Sequence, residues 1–170
     1  MPQYFARLKT GHPSRLAPPR DGPNSWKIYT ILDDRYQWSC RARADIAALN
    51  SVEDQKKARG CLVQFQLNAA HGLPLQGMYD EKALHPIVKF NWNHHEYKIW
   101  RIRQGPIRVC FIYLNNKRIL IIKILAKRKG ELTDGETDSL KNFAIEILKQ
   151  LAEVNFEKTE VTHPPHPIAT

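Results

Sequence analysis

The sequence predicts an α+β domain in which an N-terminal strand and two helices pack on a mainly antiparallel β-sheet, followed by a C-terminal helix. Three observations carry this. Strand-type segments separated by short turns run from Tyr97 to Ala126. Apolar residues recur every three or four positions over 52–70 and again over 140–151. A single aromatic and β-branched run, WKIYTIL, precedes the helices. A chain of 170 residues fits one domain and buries a sizeable core.

Residues 1–24 hold Pro13, Pro18, Pro19 and Pro23 with Arg7, Lys9, Arg15 and Arg20. Repeated prolines remove backbone donors and little apolar surface is present, so a flexible basic leader is expected. Trp26–Leu32 follows as the first strand, and Asp33 and Asp34 mark a turn. Trp38–Leu49 reads as a short helix, with Ala42, Ile46 and Leu49 on one side. Val52–Ala70 reads as a longer one, because Ala58, Leu62, Phe65 and Ala69 share a face; His71 and Gly72 end it, glycine taking the left-handed cap.

Leu73–Trp92 has irregular periodicity with Pro74, Gly77 and Pro86, and is expected to be a connecting loop with a helical turn at Asp80–Leu84. In the strand beginning at Tyr97, residues Tyr97, Ile99, Arg101 and Arg103 point one way and Lys98, Trp100 and Ile102 the other. The turn Gln104-Gly105-Pro106 leads to Ile107–Leu114, and Asn115-Asn116 to Arg118–Ala126, giving a three-stranded meander. Continuous apolar character over Ile119–Ile122 makes the last strand internal, with Trp26–Leu32 as its other neighbour. Thr133 and Glu136 have the spacing of a capping box. Leu140, Phe143, Ala144, Ile147, Leu148 and Leu151 then form an amphipathic stripe. Residues 25–152 are thus the expected domain, and 153–170, with Pro164, Pro165 and Pro167, a flexible tail.

The 26 Lys and Arg outnumber the 17 Asp and Glu, a formal charge of +9 that attracts polyanions or an acidic protein partner. From Tyr97 to Gly130 there are ten Lys or Arg and no Asp or Glu. Folding a meander gathers such charges on a compact surface, where arginine grips phosphate bidentately and lysine supplies a mobile cation. A solvated sheet face or a docking surface for an acidic partner is the plainer alternative. Tyr97, Trp100, Phe111 and Tyr113 are suited to stacking bases, but sheet packing accounts for them as well. His94 and His95 are candidates for proton transfer, or a polar turn.

Cys40, Cys61 and Cys110 are too far apart for a metal knuckle, and their odd number argues against a disulfide framework, so a cytoplasmic protein without a metal or cofactor is expected. No apolar run approaches the roughly 20 residues that span a bilayer, and no partnership with a membrane is expected.

The stretch from Tyr97 to Leu132 begins with Tyr-Lys-Ile, continues through a Gly-x-x-Arg turn from Gly105 to Arg108 and an apolar strand, and leaves through Lys127-Arg128-Lys129. This order resembles the RelE/ParE superfamily of bacterial toxin proteins, including its HigB-like and phage-derived branches. With the preceding helices the resemblance covers about Trp26–Leu151.

It implies a RelE-like domain and a type II toxin–antitoxin system, with a cognate antitoxin as partner. The branch it is most similar to cleaves mRNA on the ribosome without a metal, by attack of the ribose 2′-hydroxyl on phosphorus. On that basis Lys98, Arg108 and Arg128 are the expected catalytic residues. Arg101, Arg103, Lys123, Lys127 and Lys129 are the expected substrate contacts, and His94 and His95 the expected acid or base. The family tyrosine after the basic exit has no counterpart, since Leu132 and Thr133 stand there. The alternatives are a ParE-like inhibitor of DNA gyrase and a noncatalytic RNA-binding or host-interaction module.

Overall fold

The computed structural model describes residues 4–7, 22–32 and 40–151. Its strands are β1 (Tyr4–Arg7), β2 (Lys27–Leu32), β3 (Leu84–Trp92), β4 (His95–Gln104), β5 (Ile107–Leu114) and β6 (Arg118–Ala126). They form one sheet in the order β1-β2-β6-β5-β4-β3. Every pair is antiparallel except β2 with β6, which run parallel. The helices are α1 (Arg41–Ala47), α2 (Val52–Ala70) and α3 (Asp134–Leu151). The architecture is therefore α+β with a mainly antiparallel sheet and a C-terminal helix, as the sequence predicts.

Helices cover both faces of the sheet. Ile28, Val109, Phe111, Ile119, Ile121 and Ile124 pack with α1 and α2, whereas Ile99, Cys110, Ile112, Leu120 and Ile122 pack with α3. Two covered faces need apolar residues at both parities, which is why β5 and β6 read as unbroken apolar runs. The full burial of Phe65, whose ring centroid lies 5.0 Å from that of Phe111, contributes roughly 2–3 kcal/mol. Tyr97, Trp100, Phe111 and Tyr113 pack against other rings: Tyr97 on Phe90, and Trp100 and Phe111 edge-on to Tyr113.

Local chemistry sets the helix ends. The Asp54 amide donates to the Ser51 hydroxyl at the start of α2. At its end Gly72 takes φ +72°, and a Cβ there would meet the Asn24 carbonyl oxygen at 2.3 Å. The capping box forms before α3, with the Thr133 amide donating to Glu136 Oε2 and the Glu136 amide to Thr133 Oγ1. At the β5–β6 bulge between Cys110 and Phe111, the buried carboxylate of Asp45 in α1 accepts from Lys123 Nζ (2.5 Å) and the Ile124 amide (2.9 Å).

Two segments differ from expectation. Tyr4–Arg7, inside the expected leader, pairs with β2 from Tyr4↔Leu32 to Arg7↔Tyr29. With β6 on one side, β2 otherwise leaves a row of backbone groups open, and a short strand fills it. Leu84–Trp92, inside the expected loop, is strand β3, so the meander has four strands. Pro86 hid it, because proline cannot serve a central ladder, but β3 is an edge strand and its register shifts between Pro86 and Val88. The rest of the expected leader up to residue 21, the Asp33–Asp34 turn and the tail beyond Leu151 lie outside the described residues. Among the described residues no helix is long and apolar enough to cross a membrane, and no group of three metal-ligating side chains occurs. All three cysteines are buried and none is in a disulfide.

Candidate nucleic-acid interface

Strands β4 and β6 end, and β3 and β5 begin, at the same end of the sheet. The Arg103 amide donates to the Ala83 carbonyl (2.7 Å) and the Lys127 amide to the Pro106 carbonyl (2.8 Å), tying the three connecting segments together. They border an open cleft of about 570 Å³ lined by Lys82, Arg103 and Arg128 together with the carboxylate of Asp80. Arg103 and Lys82 are exposed, and Arg128, with 68% of its side chain exposed, also donates to Asp54 Oδ2 at the start of α2 (2.7 Å).

Beside the cleft, on the α3 side of the sheet, stand two buried arginines. Arg101 is 1% exposed and Arg108 2%. Arg103 faces Arg108 directly across the β4–β5 ladder, and Arg101 faces His85 across β3–β4. Arg101 Nη1 donates to Glu131 Oε2, while its Nε is buried without a partner. Arg108 Nη1 turns back to the Gly105 and Ile107 carbonyls at 2.7 and 3.1 Å. Burial, and then the charges of Arg103 and Arg101, lower the Arg108 pKa, whereas the hydrogen bond from Arg101 holds the Glu131 carboxyl below the usual carboxylate range.

The three expected catalytic residues do not converge. Lys98 alternates with Ile99 and Arg101, so it projects to the α2 face, where it pairs with Glu96 at 3.7 Å. Arg108 is shut on the opposite face, and only Arg128 opens into the cleft. His94 and His95 sit at the β3–β4 hairpin, His94 with φ 64° in a two-residue turn, at the far end of the sheet. Eight residues of strand, about 26 Å, separate His95 from Arg103.

Of the expected substrate contacts, Arg103 lines the cleft and Lys129 is exposed on the following connection. Arg101 is buried, Lys123 is bound to Asp45, and Lys127 donates to Glu136 Oε2 at 2.5 Å. The ten cations therefore do not form a single surface: at least five of them, Lys98, Arg101, Lys123, Lys127 and Arg128, are in ion pairs.

Sequence reasoning missed Lys82, His85 and Glu131. Lys82 and His85 lie in the segment taken for a loop, and once β3 is recognised His85 falls opposite Arg101. His85 is the histidine at this end of the sheet among the described residues, its Nδ1 3.1 Å from the Glu81 carbonyl oxygen. Nothing in the sequence marks Glu131 as the partner of an arginine 30 positions earlier.

No protein-family model matches the chain, and a search of curated proteins returns no match. The geometry alone bears on function: a cleft with three convergent cations that suits a chain of phosphates, and an under-neutralised arginine pair beside it.

Proposed function

We propose that this chain is a RelE-like toxin of a type II toxin–antitoxin pair that acts on ribosome-bound mRNA in the cytoplasm, holding the RNA backbone in the cleft of Lys82, Arg103 and Arg128. The carrying observation is the convergence of those three cations from separate segments at one end of the sheet. The α+β architecture, a mainly antiparallel sheet with a C-terminal helix, is compatible with this reading.

In the cleaving form of this reading, the 2′-hydroxyl attacks the adjacent phosphorus and the bond to the 5′-oxygen breaks, leaving a 2′,3′-cyclic phosphate and a 5′-hydroxyl. Cations at the cleft offset the charge that builds on the phosphoryl oxygens, and the ribosome contributes alignment of the nucleophile. Lys98, His94 and His95 have no part in it. His85, whose Nδ1 lies 3.1 Å from the Glu81 carbonyl oxygen, is the imidazole at this end among the described residues and takes the proton-transfer role in this reading.

The test is mRNA cleavage with translating ribosomes and mapping of both product ends. Arg103→Ala and Arg128→Ala should weaken the cuts at least tenfold, and Lys98→Ala should leave them nearly unchanged. Full activity in both folded arginine variants refutes the site. A second reading, a noncatalytic RNA-binding protein, is favoured by the burial of Arg108 and Arg101, the latter bonded to Glu131. RNA binding without product ends selects it, and covalent gyrase–DNA complexes without mRNA cuts would point instead to the gyrase-directed branch.

A further inference from the structure

Arg101 and Arg108 pose an electrostatic problem that the fold solves only in part. Both guanidinium groups are almost fully withdrawn from water, and Arg103 stands opposite Arg108 on the same face. Asp80 lines the cleft with the exposed Arg103, but among the described residues the one carboxylate bonded to either buried guanidinium is Glu131. It touches Arg101 alone and keeps 63% of its side chain in solvent. A buried cation is costly unless an anion and hydrogen-bond acceptors replace its hydration. Arg108 has only backbone carbonyls as hydrogen-bond partners, and Arg101 keeps a buried Nε–H that nothing accepts. The donors and charge present exceed what Glu131 satisfies, and an oxyanion with several acceptor oxygens fits the deficit.

The segment that carries Glu131 is a short exposed strap between two anchored ends. Residues 127–133 have no helix or strand, and the run from Arg128 to Glu131 is exposed. It is anchored at one end by the Lys127 amide on Pro106 and at the other by the Thr133–Glu136 capping box, with Gly130 between them at φ +70°. A change confined to this strap moves Glu131 without disturbing β6 or α3.

We propose that Glu131 is an intramolecular plug: it occupies a latent oxyanion site formed by Arg101 and Arg108, and a phosphoryl group of bound RNA displaces it. The identification of RNA as the source of that phosphoryl group rests on the function proposed above; the plug itself does not. Because the strap also carries Arg128 and Lys129, displacement of Glu131 shifts the two cations along with it. The open cleft and the latent site then form one continuous phosphate track that shares Arg103.

The experiment compares Glu131→Gln with Glu96→Gln in the full chain. Each removes one negative charge, but Glu96 is paired with Lys98 at the far end of β4. The probes are inorganic pyrophosphate and a short fluorescent single-stranded RNA, with the Arg101 Nε–H resonance followed by NMR. Glu131→Gln should bind pyrophosphate about fivefold more tightly than the parent, the ratio that releasing a half-exposed ion pair gives, while Glu96→Gln stays within about twofold. The Arg101 Nε–H signal should shift on saturation.

Equal affinities in the two variants, or an unmoved Arg101 signal at saturation, overturn the plug. The RNA arm separates the two ideas. Tighter pyrophosphate binding in Glu131→Gln without RNA binding by any variant supports the plug and removes RNA as its ligand. RNA binding in both variants with equal pyrophosphate affinities overturns the plug and leaves the RNA reading standing, and identical RNA binding beside tighter pyrophosphate binding in Glu131→Gln supports the plug and removes RNA as its ligand.

Discussion

Asp45 offers a quantitative test of how the β6 exit is held in place. Its carboxylate is 4% exposed and accepts from the Ile124 amide, Lys123 Nζ and Arg41 Nε. In Asp45→Ala the buried Ile124 N–H loses its acceptor, which costs about 1–3 kcal/mol. Lys123 loses its partner as well, but its side chain is 35% exposed and rehydrates, so that loss is worth no more than about 1 kcal/mol. The sum is roughly 1–4 kcal/mol, which at an m-value of about 2 kcal/mol/M lowers the urea midpoint by about 0.5–2 M.

Asp45→Asn keeps a neutral oxygen for Ile124 and should retain about half of that stability. Equilibrium urea unfolding followed by tryptophan fluorescence and far-ultraviolet dichroism measures both. A midpoint for Asp45→Ala within about 0.3 M of the parent would refute the reasoning. So would an Asp45→Asn variant as unstable as the alanine variant, because the bond to Ile124 would then carry nothing.

The cleft and the thiols give two further tests. Arg103→Ala and Arg128→Ala should each lower the slope of log affinity for single-stranded RNA against log salt by about 0.7, whereas Lys123→Ala, whose ammonium serves Asp45, should leave the slope unchanged; fluorescence anisotropy across a salt series measures all three. Burial pushes the Cys61 and Cys110 thiols up to about 12 from an ordinary value of 9.0, so neither should react with a disulfide reagent at pH 8 until the protein is unfolded. The same shift makes stability fall as pH rises: the unfolded thiol ionises above 9 while the folded one stays protonated to about 12. The loss is thus absent below pH 9 and reaches about 2–3 kcal/mol per thiol near pH 11. Cys61→Ala and Cys110→Ala should each flatten that alkaline decline in urea titrations.

Much of the scaffold was legible because several local signals agreed. Val52–Ala70 has apolar positions on one face and a glycine after it that the structure requires. The β6 run could be internal only if helices lay on both sides. Strand β3 was hidden because proline and a register shift break the period of two, and both are tolerated at an edge.

The site was less legible, and for a different reason. Strand parity already set Lys98 apart from Arg101 and Arg103, and the short Gly105–Pro106 turn already set Arg108 opposite Arg103. The motif resemblance instead grouped Lys98 with Arg108 and Arg128 across the sheet. What parity cannot reveal is burial. Whether Arg101 faces water depends on a strap and helix 30 residues further along the chain, and no local pattern encodes that meeting.

The same long-range pairing changes what the positive charge of the chain can do. The stretch from Tyr97 to Gly130 lacks acidic residues, but the fold brings carboxylates to it: Asp45 from α1, Asp54 from α2, Glu131 from the strap and Glu136 from α3. Asp45, Glu131 and Glu136 each tether a cation to another part of the fold and remove most of its pull on a distant polyanion, whereas Arg128 stays 68% exposed beside Asp54 and still lines the cleft. If all ten cations met RNA, the salt slope would approach about −7; three cations in one cleft give about −2. A slope near −2 that steepens when Glu131 is neutralised fits a small site opened by its ligand. A slope near −7 in the parent chain means that the internal ion pairs give way to RNA wholesale, and then the cleft is not the interface.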